Sequence, residues 1–319
     1  MNTMRAAVIA APGEVRVEQV PRPEPAAAEV RVRVEGCGVC ASNLPLWEGK
    51  PWFTYPLEPG APGHEVWGTV DATGDGVNGV SPGTRVALLS GHGYAEYDVA
   101  PADAVVTLPP HLHGPFPGEA LGCVMNIFQR SAVKEGQTVA IIGIGFLGAL
   151  LTQLATKAGA RVIAITRRPF ALQLARDFGA AEVIPMDDHW RILDQVRGLT
   201  GGAGCDCVIE AVGHQWPLDL AAELTRESGR LVIAGYHQDG PRQVNMQLWN
   251  WRAFDIVNAH ERNMAVNLQG IRAAAEAVAG GVLDPSPLYT HTVGLEGLAG
   301  ALNGLRDRPD GFLKALVTL

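Results

Sequence analysis

The chain has 319 residues, 47% of them hydrophobic and 18% charged, and its 25 basic and 33 acidic side chains give a net charge of −8. This length suits two domains, each with a core of its own, and the composition argues against extensive disorder. The acidic balance and the absence of a long basic run make nucleic acid an unlikely partner class.

No stretch of the sequence approaches the roughly 18 uninterrupted apolar residues that a membrane helix requires. Acidic Glu14 stands where a secretory signal would need its apolar core. We therefore expect a cytoplasmic protein that does not enter a membrane. The five cysteines are too few and too oddly numbered for a disulfide framework, so their thiols are expected to stay reduced and available to a metal. They are Cys37, Cys40, Cys123, Cys205 and Cys207.

Short β segments broken by Gly and Pro fill the first 120 residues or so, and most of them alternate apolar and polar residues. This pattern predicts a β-rich barrel or sandwich. The segments are RAAVIA, EVRVEQV, EVRVRVEG, VWGTVDATG, TRVALLS, YAEYDVA and AVVTLP.

From about residue 124 the sequence alternates apolar strands with helices that are apolar on one face. It begins with TVAIIG and LGALLTQLATKAG and continues to RLVIAGY. This order predicts a parallel, doubly wound sheet covered on both faces, so the fold class is α/β. After about residue 260 the pattern changes again, to a helix, a Pro-rich turn, another helix and the strand FLKALVTL. We predict one domain from 1–123 with 260–319 and a second from 124–259.

The segment from Gly143 to Gly148, GIGFLG, is a GxGxxG motif between the strand TVAII and a helix. In that position the first Gly permits a tight turn, Gly145 lets the backbone approach a pyrophosphate, and the third Gly allows close packing of helix on strand. The pyrophosphate would lie at the helix N-terminus, next to Phe146 and Leu147. The alternative is a glycine-rich turn that binds nothing.

The second strand of this series ends in Thr166-Arg167-Arg168, where an NAD-binding protein would carry an acidic residue for the ribose 2′-hydroxyl. Two guanidinium groups could instead pair with a 2′-phosphate. We therefore predict that NADP is preferred and that NAD is possible. The alternative is that the arginines form a solvated surface turn. Gly235, near the end of the segment RLVIAGY, is also included in the predicted cofactor-binding set.

Three separate segments carry candidate metal ligands: Cys40 in GCGVCASN, His64 in PGHEVWG and Cys123 in ALGCVMN. Two thiolates and one imidazole leave one position of a tetrahedral zinc site open, which is typical of catalytic zinc. Each residue alone would more often be an ordinary buried side chain. Together they form a candidate site for one metal ion.

These segments resemble the zinc-dependent medium-chain dehydrogenases/reductases, the alcohol dehydrogenase-like family. The resemblance lies in GxCxS, then GHE, then a GC before the Rossmann half, and finally GxGxxG, and it spans nearly the whole chain. It implies a GroES-like catalytic domain and a Rossmann domain. It also implies Cys40, His64 and Cys123 as zinc ligands, Glu65 beside the metal or as a transient ligand, and Ser42 as the first member of a proton relay.

The resemblance further implies hydride transfer between NAD(P) and an alcohol or carbonyl compound, with a sugar, polyol or secondary alcohol as a guess at the substrate. A homo-oligomer, dimer or tetramer, is the arrangement common in the family. Two other functions stay open. One is a zinc-free NADPH quinone or enoyl reductase of the same superfamily, and the other is a protein that binds dinucleotide without catalysis.

The sequence departs from the family pattern in three places. Asn43 stands where the family usually has Asp, so the carboxylate that would orient the zinc histidine is missing. Pro45 stands where some members carry a relay histidine. The four-cysteine lobe that holds a structural zinc in many members is absent, so the resemblance implies one zinc per chain, the catalytic ion.

Several other residues have plainer interpretations. Cys37, Cys205 and Cys207 are predicted to be buried thiols. Lys314 is interpreted as a possible surface lysine. The aromatic residues between Cys40 and His64 either line the substrate site or pack beneath a long loop.

Overall fold

The computed structural model describes residues 2–319 and divides into two compact units. The first unit comprises the residues up to Cys123 together with Arg262–Leu319, and the second comprises Val124–Glu261. The boundary at residue 123 falls inside a helix, and the second boundary follows Glu261.

The first unit begins with a run of β-strands, as its alternating sequence predicts. The strands are β1 (Thr3–Ala11), β2 (Glu14–Pro21), β3 (Glu29–Gly38), β4 (Glu65–Thr73), β5 (Arg85–Leu88), β6 (Tyr97–Pro101) and β7 (Val105–Thr107), with the short helix α1 (Leu44–Trp47) between β3 and β4. β1 and β2 form a hairpin, and the other strands belong to a seven-stranded, largely antiparallel sheet centred on β3. The predicted β-rich domain is confirmed.

Alternation along β3 shows how the sequence builds this sheet. Val30, Val32 and Val34 enter the core of the unit, whereas Arg33 between them is exposed. Successive side chains of a strand point to opposite faces, so one face of β3 becomes apolar.

The chain next forms helix α2 (Gly118–Ser131), which crosses from the first unit into the second. The second unit then alternates strands and helices as predicted. These are β8 (Thr138–Ile142), α3 (Phe146–Lys157), β9 (Arg161–Thr166), α4 (Pro169–Asp177), β10 (Glu182–Pro185), α5 (His189–Leu199), β11 (Cys205–Glu210), α6 (Gln215–Leu224), β12 (Thr225–Ile233), α7 (Met246–Trp251) and β13 (Asp255–Asn258).

All six strands of the second unit are parallel, in the order β10-β9-β8-β11-β12-β13. The order reverses between β8 and β11, which is the switch point of a doubly wound sheet. Apolar residues of β8, β9 and β11 form a core with α5 and α6. Cys205 and Cys207 on β11 are buried, as predicted.

The sequence analysis missed the last two elements of this unit, α7 and β13. β13 has only four residues, is mostly exposed, and lies at the edge of the sheet beside β12. An edge strand that buries little has no apolar run to reveal it.

The remaining elements return to the first unit. They are α8 (Met264–Ala279), β14 (His291–Val293), α9 (Leu298–Asp307) and β15 (Ala315–Thr318). β15 pairs with β3 and so joins the C-terminal segment to the central sheet. Across residues 2–319, no helix combines the length and the apolar character that crossing a membrane would require.

Candidate metal centre and dinucleotide loop

The candidate metal centre lies where β3 and β4 pair in the first unit. Gly38 at the end of β3 is opposite Glu65 at the start of β4, so this pairing brings Cys40 next to His64 and Glu65. Among the described residues, these three offer one ligand atom each within 4.8 Å of one another. Residues that are 24 positions apart in sequence therefore form one cluster.

Glu65 approaches the cluster because residue 38 has no side chain. A Cβ atom on Gly38 would lie 1.8 Å from Oε2 of Glu65, far inside contact distance. Glu65 is 1% exposed. The glycine of the GxC motif is thus required for the buried carboxylate beside the candidate ligands.

Lys314 lies next to Glu65, and the interpretation of it as a surface residue is wrong. Lys314 is 4% exposed, and its Nζ is 2.5 Å from the Glu65 carboxylate. Burial lowers the pKa of Lys314, but Glu65 and the other acidic groups outweigh this effect and raise it above its ordinary value. A long charged side chain can be buried here because its partner is already in place.

His64 is oriented by a backbone carbonyl. Its Nδ1 is 2.9 Å from the carbonyl oxygen of Pro62, which can only accept, so Nδ1 carries the proton and Nε2 remains for a metal. Asn43 does not take part, because its amide donates to the Tyr94 hydroxyl at 3.1 Å. The Pro62 carbonyl therefore orients His64, the role that the aspartate has in the family pattern.

The electrostatic surroundings of His64 are strongly negative. Burial lowers its pKa, but the hydrogen bond with Cys40 and the charges of Cys40, Glu119 and Glu65 raise it to about 10. The same acidic groups would also attract a metal cation to this site.

Cys123, the third predicted ligand, is not among the three clustered residues. It lies on α2 one turn after Glu119, and its thiol donates to the Glu119 carboxylate at 3.2 Å. Burial, then Glu119, raise the pKa of Cys123 well above its ordinary value. Burial also raises the pKa of Glu119, while His64 lowers it.

Sequence reasoning missed Glu119. One signal was present, since Glu119 and Cys123 are four residues apart, a spacing that places two residues on one face of a helix, as it does on α2. The charge of Glu119 also raises the pKa values of His64 and Lys314. Glu119 therefore lies near the cluster.

The donor set fits zinc. Tetrahedral zinc with one sulfur and one nitrogen ligand needs its ligand atoms about 3.5 Å apart, which small side-chain rotations within a 4.8 Å cluster can provide. A thiolate, an imidazole and carboxylates are all ligands that zinc accepts. The surplus of acidic groups would also be offset by a divalent cation.

Ser42 lies in a 3-10 turn, Ala41–Asn43, that follows Cys40 directly. The residue is exposed to solvent, whereas Pro45 is buried in α1. The position leaves Ser42 accessible to a proton acceptor, and its part in a relay stays a prediction.

The glycine motif of the second unit follows β8 and precedes α3, as predicted. Gly143 has φ +94°, and a Cβ on Gly148 would lie 2.0 Å from the Gly143 carbonyl oxygen, so these two glycines are needed for the turn and for helix packing. A Cβ on Gly145 would meet nothing within 4 Å. The open space above Gly145, the residue that precedes the first turn of α3, is where a pyrophosphate would fit.

The other predicted cofactor residues lie at the same edge of the parallel sheet. β9 ends at Thr166, which is buried, and Arg167 after it is exposed. Arg168 is the residue before α4. Gly235 follows β12, and a Cβ there would be 2.3 Å from the Gly213 backbone nitrogen, so its small size serves close loop packing.

Comparisons with known proteins agree with this arrangement. The family model for the alcohol dehydrogenase GroES-like domain matches residues 26–110, and the model for zinc-binding dehydrogenase matches residues 147–276. An alcohol dehydrogenase of Geobacillus stearothermophilus is 30% identical over 256 residues, which cover 69% of this chain and 74% of that protein.

Two further relatives cover nearly all of the chain. The sorbitol dehydrogenase of Bacillus subtilis is 26% identical over 99% of this chain and 97% of its own. A solved structure from Sinorhizobium meliloti 1021, named as a zinc-binding dehydrogenase and bound to NADP, has 26% identity and a TM-score of 0.87 over 100% of both chains.

The fold is thus that of the medium-chain dehydrogenases/reductases, with a GroES-like domain and a Rossmann-type parallel sheet. The chain belongs to the zinc-type alcohol dehydrogenase family, and it is an oxidoreductase of that family.

The glycine motif gives a matched pair of substitutions. Gly148→Ala forces a Cβ against the Gly143 carbonyl and should lower the free energy of unfolding by about 2 kcal/mol. Gly145→Ala meets nothing and should change it by less than about 0.5 kcal/mol. Denaturant unfolding of both variants tests this, and equal stabilities would contradict the assignment of the two glycines.

Lys314→Met tests the buried ion pair. In chelator-treated protein it should lower the free energy of unfolding by about 3–5 kcal/mol, because Glu65 is left buried without its cation. Lys134→Met, at an exposed lysine, is the control and should change stability little. A Lys314→Met protein as stable as the control would show that the Glu65 charge is compensated elsewhere.

Proposed function

We propose that this protein is a zinc-dependent alcohol dehydrogenase that uses NADP in preference to NAD. The clustering of Cys40, His64 and Glu65 carries the proposal, because a thiol, an imidazole whose Nε2 faces away from the Pro62 carbonyl and a buried carboxylate form a donor set suited to zinc. The glycine loop before α3, which has open space at Gly145, supports the binding of a dinucleotide.

Cys40 and His64 are proposed as two of the protein ligands of the zinc. The sequence predicts Cys123 as the third, and the structure adds Glu119 beside it. We favour Glu119, because its charge acts directly on His64, whereas the Cys123 thiol is directed to Glu119 as a hydrogen-bond donor. Cys123 then acts as a hydrogen-bond donor that orients Glu119.

When bound, zinc would supply Lewis-acid chemistry at the oxygen of the alcohol or carbonyl substrate. The chain's own residues prepare the site for this. Pro62 fixes the tautomer of His64, and Lys314 holds Glu65 beside the ligands. Ser42, exposed next to Cys40, is proposed to pass the proton of the substrate hydroxyl to solvent.

The dinucleotide is proposed to lie on the second unit, with its pyrophosphate above Gly145 at the start of α3. When bound, the cofactor would supply hydride-transfer chemistry at its nicotinamide ring. Arg167 and Arg168 are proposed to bind the 2′-phosphate of NADP, since charged guanidinium groups pair well with phosphate. The similarity to an NADP-bound zinc-binding dehydrogenase of S. meliloti 1021 supports this preference.

The substrate is proposed to be a polyol, sugar or secondary alcohol, or the corresponding carbonyl compound. The similarity to sorbitol dehydrogenase over almost the whole chain supports this class.

Metal analysis tests the ligand set. Elemental analysis should find one zinc per chain in the purified protein and less than about 0.2 in Cys40→Ser and His64→Ala, because tetrahedral sites rarely survive loss of a ligand. Glu119→Gln should lose more zinc than Cys123→Ala. The opposite order would restore Cys123 as the ligand, and a zinc-free wild type that still reduces quinones or enoyl compounds would indicate the zinc-free reductase.

The arginine pair gives a test of cofactor preference. The dissociation constant for NADPH should rise about tenfold in Arg167→Ala/Arg168→Ala, since a phosphate loses charge-assisted hydrogen bonds, while that for NADH stays within about twofold. Titration of both cofactors measures this. Wild-type protein that binds NADH tenfold more tightly than NADPH would contradict the preference.

A further inference from the structure

The second unit contains a chain of hydrogen bonds that no part of the proposed chemistry uses. His237 lies between the Glu210 carboxylate and the Arg242 guanidinium, with Nε2 3.1 Å from Oε2 of Glu210 and Nδ1 2.9 Å from Nε of Arg242. Arg242 Nη2 also donates to the Gly213 carbonyl at 2.8 Å. We call Glu210, His237, Arg242 and the Gly213 carbonyl the His237 network.

The donors in this network are fixed by chemistry. Arg242 can only donate, so Nδ1 of His237 accepts and Nε2 carries the proton that it donates to Glu210. The other oxygen of Glu210 accepts from the backbone N–H groups of Val212 and Gly213, at 2.7 and 2.8 Å. Glu210 is fully buried, so each of these contacts matters for its solvation.

The network joins two loops that are distant in sequence. Glu210 ends β11 and fixes residues 211–213, whereas His237 and Arg242 lie in residues 234–245 after β12. The loops also pack backbone against backbone, because a Cβ on Gly213 would lie 2.7 Å from the Tyr236 carbonyl oxygen. The His237 network therefore sets the conformation of both loops at once.

These loops occupy the carboxyl edge of the parallel sheet, where doubly wound folds bind their ligands. The glycine motif and the arginines follow β8 and β9 on one side of the switch point, and β11 and β12 lie on the other side. A dinucleotide bound across the switch point, with its adenosine half over β9, would extend its nicotinamide half over the loops after β11 and β12.

We propose that His237 is a positioning residue for the nicotinamide half of the cofactor, an inference that rests on the proposed dinucleotide binding. The network orders the two loops before the cofactor arrives. Cofactor binding then loses less conformational entropy, because the two loops are already ordered, and the affinity is higher. Without His237, the buried Oε2 of Glu210 loses a donor, Arg242 loses an acceptor, and the loops separate more easily.

His189 offers a matched control in the same unit. Its Nδ1 accepts from Trp216 Nε1 at 3.0 Å, and its Nε2 is 3.2 Å from Oε1 of Glu223. The two histidines have similar bonds, but the partners of His189 belong to helix α6 and not to the loops after β11 and β12.

The experiment measures dissociation constants of NADPH and NADH by calorimetric titration of the full-length protein. His237→Leu should weaken binding about tenfold, whereas His237→Gln, which keeps one donor and one acceptor, should stay within about threefold. His189→Leu should bind as wild type does. Wild-type affinity in His237→Leu, or an equal loss in His189→Leu, would overturn the positioning role.

Hydrogen exchange of wild-type protein adds a test that needs no variant. Amides of residues 234–245 should already be protected without cofactor, because the network orders the loop in advance. Protection that appears only after NADPH is added would overturn the inference. If wild-type protein binds neither cofactor, the proposed dinucleotide function fails, and this result is distinct from loss of binding in His237→Leu alone.

Discussion

The buried ion pair between Glu65 and Lys314 is the interaction on which the candidate metal centre depends. A carboxylate with 1% exposure is costly unless a positive charge lies beside it. Lys314 meets this need from a position 249 residues away, and Gly38 leaves the space for the Glu65 carboxylate. With Glu65 fixed in this way, His64 and Cys40 are held at the end of the same pair of strands. The acidic surplus left by Glu119 then suits a divalent cation.

Much of the fold could be predicted because its determinants are local. The strands of the first unit alternate apolar and polar residues, and those of the second are short apolar runs followed by amphipathic helices. The GxGxxG motif is a local pattern as well, since all three glycines act within one turn between β8 and α3. The family resemblance predicts Cys40, His64 and Cys123 as ligands with Glu65 beside them. The pairing of β3 with β4 explains why Cys40, His64 and Glu65 lie together.

The parts that sequence reasoning missed depend on long-range contacts. Lys314 is followed by a strand, and nothing nearby in sequence indicates that its partner is Glu65. Asn43 suggested a weakened site, but the Pro62 carbonyl orients His64 instead. β13 is an exposed edge strand recognisable only by its pairing with β12. The His237 network likewise joins the ends of two strands through side chains that no short motif contains.

The central claim is that this chain binds one catalytic zinc through one thiolate, one imidazole and oxygen ligands. X-ray absorption at the zinc edge of the purified protein tests it most directly, because zinc–sulfur distances of about 2.3 Å are distinct from zinc–nitrogen and zinc–oxygen distances of about 2.0–2.2 Å. We expect one sulfur and three nitrogen or oxygen neighbours. Two sulfur neighbours would contradict the role given to Glu119, and protein without bound zinc would contradict the metal site itself.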